Sequence, residues 1–131
     1  MYARLDDFVE EALGIGPKRV AVAAAANVLV LRSIKLARDK GLIEPILIGP
    51  EYDIAEKAEE AEIDLGSTRV VATETTTESA ARAVELVRDG EADILMKGHL
   101  HTNDFLRAVL RSDGGLRTDR LLSHVFVMQI P

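Results

Sequence analysis

Apolar residues recur along this chain at two spacings, as short continuous runs and as stripes repeated every three or four residues. The continuous runs are rich in β-branched residues or leucine, which is typical of strands buried on both faces of a sheet. We predict five strands: Arg19 to Ala24, Pro45 to Ile48, Arg69 to Ala72, Asp93 to Met96 and His124 to Ile130.

Amphipathic segments alternate with these runs, and each has the period of a helix. The predicted helices cover about Ala3 to Leu13, Val28 to Lys40, Ile54 to Glu62, a segment after Thr75 and a segment beginning near Thr102. Thr75 and Glu78 have the S/T-x-x-E spacing of a capping box, which supports a helix start there.

The resulting order of elements is αβαβαβαβαβ, which with right-handed crossovers predicts a three-layer α/β/α sandwich around a mainly parallel sheet. The length of 131 residues suits one domain or most of one. The last apolar run would need cover on both faces, yet the sequence stops at Pro131. We therefore expect residues 1–131 to be the N-terminal α/β part of a longer, truncated protein.

Composition excludes several classes of protein. Hydrophobic residues make up 47% and charged residues 29%, which is typical of a globular core rather than disorder. No apolar run approaches the roughly 20 residues of a membrane helix, and the acidic start lacks a signal-peptide pattern, so we expect a cytoplasmic location. The chain has no cysteine, which excludes disulfides, cysteine nucleophiles and cysteine-ligated zinc or iron.

Charge is unevenly distributed along the chain. The net charge is -6, but the stretch from Lys97 to His124 has five basic and three acidic residues. A local basic stretch in an acidic protein fits a small anionic ligand better than a nucleic acid, because a long polyanion would be repelled by the net negative charge of the whole protein. Three Phe, two Tyr and no Trp leave few side chains for base stacking. We therefore expect no nucleic-acid partner.

The loop after the fourth predicted strand contains the most candidate ligand-binding residues. Its place also fits, because ligands of open α/β sheets gather at the carboxyl ends of strands. Lys97 supplies a positive charge, Gly98 allows a turn that a side chain would obstruct, and Thr102 is a predicted N-cap. Arg107 follows about one and a half turns later with a fork suited to phosphate or carboxylate oxygens. Together they predict an anion site. Alternatively, Lys97 is solvated and Arg107 pairs with Asp104.

Other loops have simpler interpretations. Asn27 follows the first strand, and we interpret it mainly as an N-cap of the next helix. The hydroxyls from Thr73 to Thr77 suit either an anion or a cap equally well. His99, His101 and His124 lack suitably spaced acidic partners, so we expect no metal site.

Several strings of residues resemble the phosphate acetyl/butyryl transferases. They run from Ala92 to Gly98 with Thr102, from Leu106 to Leu110, from Gly115 to Thr118 and from Leu122 to Met128, and a further likeness covers Gly41 to Gly49. The resemblance extends over most of the chain from Arg19 onward. The turn from Ala24 to Asn27 departs from the family, in which an acidic or histidine-containing sequence is frequent there.

The resemblance implies reversible acyl transfer between coenzyme A and inorganic phosphate, with a short-chain acyl phosphate as the other substrate. It also implies an isocitrate/isopropylmalate-dehydrogenase-like fold, about twice this length, and a homodimer of the full-length protein. Coenzyme A is then a substrate, and no cofactor is expected. In that family, the serine and aspartate that handle the thiol lie in the later part of the sequence, beyond the part that this chain resembles. No catalytic residue is therefore expected here, and the chain alone is expected to be inactive.

The same resemblance suggests which positions bind the ligand. Arg107 matches an arginine associated with phosphate or acyl phosphate, while Lys97, Gly98 and Thr102 match recurrent motif positions. Ser123 also matches such a position, and we take it together with His101 as a candidate site-lining residue.

Two other functions remain open from the residues. One is a hydroxy-acid dehydrogenase on the same fold, which would need a set of metal-binding aspartates. The other is a non-catalytic domain that binds a small anion or coenzyme A without consuming it.

Overall fold

The computed structural model describes residues 3–123 and 125–130. Within these residues the chain forms five helices and four strands. They are α1 (Leu5–Ile15), β1 (Lys18–Ala23), α2 (Val28–Asp39), β2 (Ile43–Gly49), α3 (Glu51–Glu60), β3 (Arg69–Ala72), α4 (Thr76–Arg88), β4 (Ile94–Lys97) and α5 (Thr102–Val109).

The four strands form one parallel sheet in the order β3-β2-β1-β4. Most residues of β1 and β2 are buried, as predicted for strands covered on both faces. The same prediction is wrong for β3 and β4, whose first and last residues are exposed. Within the described chain each of these two strands has a neighbouring strand on one side alone.

Helices cover both faces of the sheet, which confirms the predicted three layers. On one face, Leu31 and Ile34 of α2 and Ile54 of α3 pack with Val20 and Val22 of β1. On the other face, α4 packs against the alternate residues of β1 and β2, and α5 packs against α4. Alternation of side chains along β1 thus places one core cluster on each face of the sheet, and a third, smaller cluster lies between α4 and α5.

Helix α1 contributes little to this core. None of its residues is buried, and Leu5, Phe8 and Leu13 are each close to half exposed. Gly16 is the C-cap of the helix; its positive φ of 99° suits glycine, and its N–H donates to the Ala12 carbonyl at 3.2 Å. The predicted first helix is confirmed, although it ends two residues later than expected, because Gly14 and Ile15 are still helical.

The fifth predicted strand is wrong over residues 125–130, and His124 lies outside the described residues. Residues 125–130 have no strand pairing, and their side chains are largely exposed, including Phe126 and Ile130. The segment passes beside α1, where the Leu5 N–H donates to Gln129 Oε1 at 2.9 Å. Apolar composition predicted a strand here, but a strand also needs a hydrogen-bonding neighbour, and within the described chain the outer edge of β4 is not paired with this segment.

Candidate functional site

The carboxyl ends of β1 and β4 border a crevice that the topology makes the natural ligand position. The helix that follows β1 is α2, on one face of the sheet, whereas α5 follows β4 on the opposite face. The two loops therefore diverge, and ligands of open α/β sheets bind at such a switch point. The loop after β1 spans residues 24–27, and the loop after β4 spans residues 98–101. We call this the β1/β4 crevice.

Gly98 joins the two sides of the β1/β4 crevice. Its N–H donates to the Ala23 carbonyl, and the next N–H, of His99, donates to the Ala24 carbonyl, both at 2.8 Å. A Cβ at Gly98 would overlap both of these carbonyl oxygens. The structure thus confirms that a side chain at Gly98 is obstructed, and the physical reason is close approach of two backbones rather than an unusual φ.

Ala24 has a left-handed conformation, with φ of 57°, which is uncommon for a residue with a Cβ. The buried Ser79 hydroxyl of α4 fixes it, because its oxygen accepts the Ala24 N–H at 2.6 Å and its proton is donated to the Ile48 carbonyl at 3.0 Å. The Ser79 hydroxyl of α4 therefore links the loop after β1 to the end of β2.

Asn27 is the N-cap of α2, as predicted, with Oδ1 accepting the Val30 N–H at 3.1 Å. Its Nδ2 also lies 3.3 Å from Nδ1 of His99, on the other side of the β1/β4 crevice. This contact between the two loops was not predicted. Only the strand order, which makes β1 and β4 neighbours, could have indicated it.

Lys97 is exposed at the end of β4, and its Nζ donates to the Leu100 carbonyl at 2.8 Å. The Gly98 carbonyl lies at 3.5 Å from the same Nζ. Both partners are neutral carbonyls, so the positive charge of Lys97 is not neutralised by them. The lysine closes its own loop and keeps its charge at the β1/β4 crevice.

With Thr102 as its N-cap, α5 would begin at residue 103, but the helix begins at Thr102. The N-cap is His101, which has extended φ and ψ, and Thr102 is already the first helical residue. The prediction of Thr102 as N-cap is therefore wrong, because a cap must lie outside the helical conformation. The His101 side chain makes no capping hydrogen bond. The first-turn N–H groups of α5 thus have no side-chain cap and carry the positive end of the helix dipole.

Arg107 lies on the exposed side of α5. Its side chain is 78% exposed, and its guanidinium lies 3.6 Å from an Asp104 carboxylate oxygen, which is the alternative pairing considered from the sequence. Exposed pairs of this kind contribute about 0–1 kcal/mol, so a ligand anion competes with Asp104 at little cost. Arg107 also lines a cleft of about 340 Å³ between α4 and α5, together with Thr77 and Arg111. Lys97 does not line this cleft.

The remaining predicted positions lie outside this arrangement. Ser123 is exposed in a segment with no helix or strand, and the described contacts join it to none of the other candidate residues. Thr75 is the N-cap of α4, with its hydroxyl accepting the Glu78 N–H at 3.1 Å. The buried Thr73 hydroxyl has no hydrogen-bond partner among the described residues.

At the opposite edge of the sheet, where the amino ends of the strands lie, the arginines are paired with carboxylates. Arg19 donates to both carboxylate oxygens of Asp93, at 2.9 and 3.1 Å, and its backbone N–H donates at 2.9 Å. The guanidinium first, and then the backbone N–H, lower the pKa of Asp93 to about 2. A cleft of about 580 Å³ at this edge contains Arg19, Arg38 and Arg69. Each of these arginines has an acidic partner, so the cleft lacks a free cation from this trio for an anion.

Two further observations concern metal ions and membranes. No three His, Asp or Glu side chains in residues 3–123 and 125–130 are grouped so that they could hold a metal ion. Across the same residues, every helix is too short or too polar to cross a bilayer.

Comparison with known proteins identifies relatives of this chain. Residues 66–131 match the family model described as "Phosphate acetyl/butaryl transferase". A phosphate acetyltransferase of Rhizobium meliloti is 39% identical over 129 residues, which are 98% of this chain and 41% of the relative. A phosphate butyryltransferase of Clostridium beijerinckii is 36% identical over 130 residues, 99% of this chain and 43% of that protein. The chain thus spans about two fifths of the length of these relatives.

A solved structure supports the fold. The crystal structure of a branched-chain phosphotransacylase from Enterococcus faecalis V583 matches 71% of this chain and 33% of its own, with a TM-score of 0.53 and 22% sequence identity. This likeness concerns the fold, and the family model covers half of the residues, including β4, its loop and α5. The resemblance noted in the sequence is confirmed, and the chain belongs to the phosphate acetyl/butaryl transferase family.

Proposed function

We propose that this chain is the phosphate-binding part of an enzyme that interconverts acyl-CoA plus phosphate with acyl phosphate plus CoA. The observation that carries the proposal is the family match over residues 66–131, which contain the loop after β4 and all of α5. The geometry supports it, because Lys97 and the uncapped start of α5 lie at the switch point of the sheet. Arg107 is the sixth residue of α5 and lines the neighbouring cleft between α4 and α5, which Lys97 does not line.

The reaction needs a thiolate at the acyl carbon and a phosphate whose charge is neutralised as it leaves. In the direction of acyl-CoA formation, the sulfur–carbon bond forms, the bond from the acyl carbon to the phosphate oxygen breaks, and phosphate takes the electron pair. Arg107 and the first-turn N–H groups of α5 stabilise that charge in our proposal, and Lys97 adds a second cation. The group that removes the thiol proton is proposed to lie in a later part of the full-length protein.

The family resemblance also supports finer proposals. We propose coenzyme A, inorganic phosphate and a short-chain acyl phosphate as the substrates, a homodimer as the active assembly, and the cytoplasm as its location. The 131-residue chain by itself is proposed to release no thiol from acyl-CoA.

A phosphate-dependence assay tests this proposal. Full-length protein is mixed with acetyl-CoA or butyryl-CoA, with and without inorganic phosphate, and release of the free thiol is followed by a thiol-reactive dye. We expect release that requires phosphate. Binding of phosphate or coenzyme A without thiol release would instead support a non-catalytic domain, and reduction of a nicotinamide cofactor by a hydroxy acid would support a dehydrogenase.

A further inference from the structure

The two polar atoms of the Asn27 side chain have different partners. Oδ1 accepts the Val30 N–H, since it caps α2, and an acceptor is the one kind of atom that can do so. Nδ2 is therefore the atom that faces Nδ1 of His99, at 3.3 Å. An amide nitrogen has hydrogens to donate and no lone pair to offer, so Nδ1 of His99 must act as the acceptor.

This contact decides where His99 carries its proton. A neutral imidazole has one N–H, and with Nδ1 accepting, the proton lies on Nε2. The backbone of His99 is held as well, because its N–H donates to the Ala24 carbonyl at 2.8 Å. Within residues 3–123 and 125–130, Nε2 has no protein partner, and the His99 residue is exposed. The ring is thus a positioned donor whose N–H is unused by the fold.

The tautomer also indicates which ligand this donor suits. A metal at Nε2 would require the proton on Nδ1, where it would face the hydrogens of Asn27 Nδ2. An oxyanion, in contrast, accepts the Nε2 hydrogen directly. His99 lies between Lys97, whose charge is not neutralised by its carbonyl partners, and the start of α5, so the surrounding field also favours a negative ligand.

We propose that Asn27 is a positioning residue that holds His99 as the Nε2–H tautomer, and that this N–H donates to a phosphoryl oxygen bound in the β1/β4 crevice. The second half of the proposal rests on the proposed function, and the first half does not. Neither residue belongs to the anion site predicted from the sequence, and Asn27 lies in the turn that departs from the family.

The tautomer is tested by nitrogen NMR on protein labelled with ¹⁵N-histidine, at a pH at which imidazole is neutral. His99→Gln identifies the His99 signals by their loss. We expect a protonated Nε2 and an unprotonated Nδ1 in the wild type. Asn27→Asp keeps the cap of α2 but replaces the donor with an acceptor, and we expect it to move the proton to Nδ1. A proton on Nδ1 in the wild type, or no change in Asn27→Asp, would overturn the positioning role.

The ligand is tested by calorimetric titration with inorganic phosphate. His99→Ala is expected to weaken phosphate binding about tenfold, the usual effect of a hydrogen bond to a charged group. His99→Gln, which offers an amide N–H at a similar reach, is expected to recover most of the loss. Equal affinity in wild type and His99→Ala overturns the donor role, and so does a wild type that fails to bind phosphate. Because thiol release is not measured here, failure of acyl transfer by the full-length protein remains a separate result.

Discussion

The two edges of the parallel sheet place their cations in different surroundings. At the amino edge, Arg19 and Arg69 make ion pairs of 2.9 and 3.3 Å with Asp93 and Glu91. At the carboxyl edge, Lys97 donates to carbonyls, and Arg107 has one carboxylate partner at 3.6 Å. Cations paired with close carboxylates are already occupied, whereas cations without close carboxylates remain available to an anion.

This contrast explains why cleft size does not identify the site. The cleft of about 580 Å³ at the amino edge is larger than the cleft of about 340 Å³ beside Arg107. An anion entering the larger cleft would have to break existing ion pairs. At the carboxyl edge an anion would meet the uncapped helix start instead.

The largest expected effect of a substitution is on catalysis by the full-length enzyme. Arg107→Ala is expected to lower the rate of phosphate-dependent thiol release about a hundredfold or more, because one preorganised donor to a transition-state charge is worth about 3 kcal/mol. Arg82→Ala is the matched control, since Arg82 also makes an i,i+3 surface pair, with Glu85 at 3.1 Å. A loss below about threefold in Arg107→Ala would contradict the assignment of Arg107.

The second largest effect is on stability. Gly98→Ala is expected to lower the free energy of unfolding by about 2–3 kcal/mol, because its Cβ would overlap the Ala23 and Ala24 carbonyls. Gly14→Ala is the control, since it lies in α1 with open space where its Cβ would be. That control is expected to be neutral or stabilising. Equal urea midpoints for the two variants would show that the contact between the β1 and β4 loops is not tight.

A smaller effect is expected at the cap of α2. Asn27→Ala should lower the free energy of unfolding by about 1 kcal/mol, the usual cost of a lost N-cap, while Asn27→Asp should change it little. Urea denaturation measures both. An equal loss in the two variants would mean that the amide nitrogen, rather than the capping oxygen, carries the stabilising contact.

The smallest effect concerns pH at the amino edge. Because the pKa of Asp93 is lowered to about 2, its ion pair stabilises the fold above the ordinary carboxyl pKa, and the contribution is lost as pH falls toward 2. Wild type is therefore expected to have a higher Tm than Asp93→Asn near neutral pH, with the difference shrinking as the solution is acidified. A difference that grows on acidification would contradict the Arg19–Asp93 contact.

Local patterns along the chain predicted much of the fold. Arg69 to Ala72 was predicted at both ends, because polar residues flank a short apolar run. Helix α3 begins at Glu51, three residues before its predicted start. Its first turn is acidic, which suits the helix dipole but adds no apolar periodicity. Residues 125–130 have the composition of a strand, and composition does not reveal whether a pairing neighbour is present.

The candidate site was less accessible to prediction from sequence. Lys97, Gly98 and Arg107 were predicted as binding residues because they follow β4, and ligands gather at the carboxyl ends of strands. The contact between Asn27 and His99 joins residues 72 positions apart and depends on the order β3-β2-β1-β4. Periodicity predicts strands without their order, so this pair and the Ser79 bridge could not be found.

Mapping phosphate onto the protein tests the contrast between the two edges most directly. Amide ¹H–¹⁵N spectra recorded during a titration with inorganic phosphate report which backbone groups meet the ligand. We predict that the shifts cluster in residues 24–27 and 98–107, while the amides of Arg19, Arg38 and Arg69 stay unchanged. Shifts concentrated at those three arginines, with the loops after β1 and β4 unaffected, would contradict a phosphate site at the carboxyl edge.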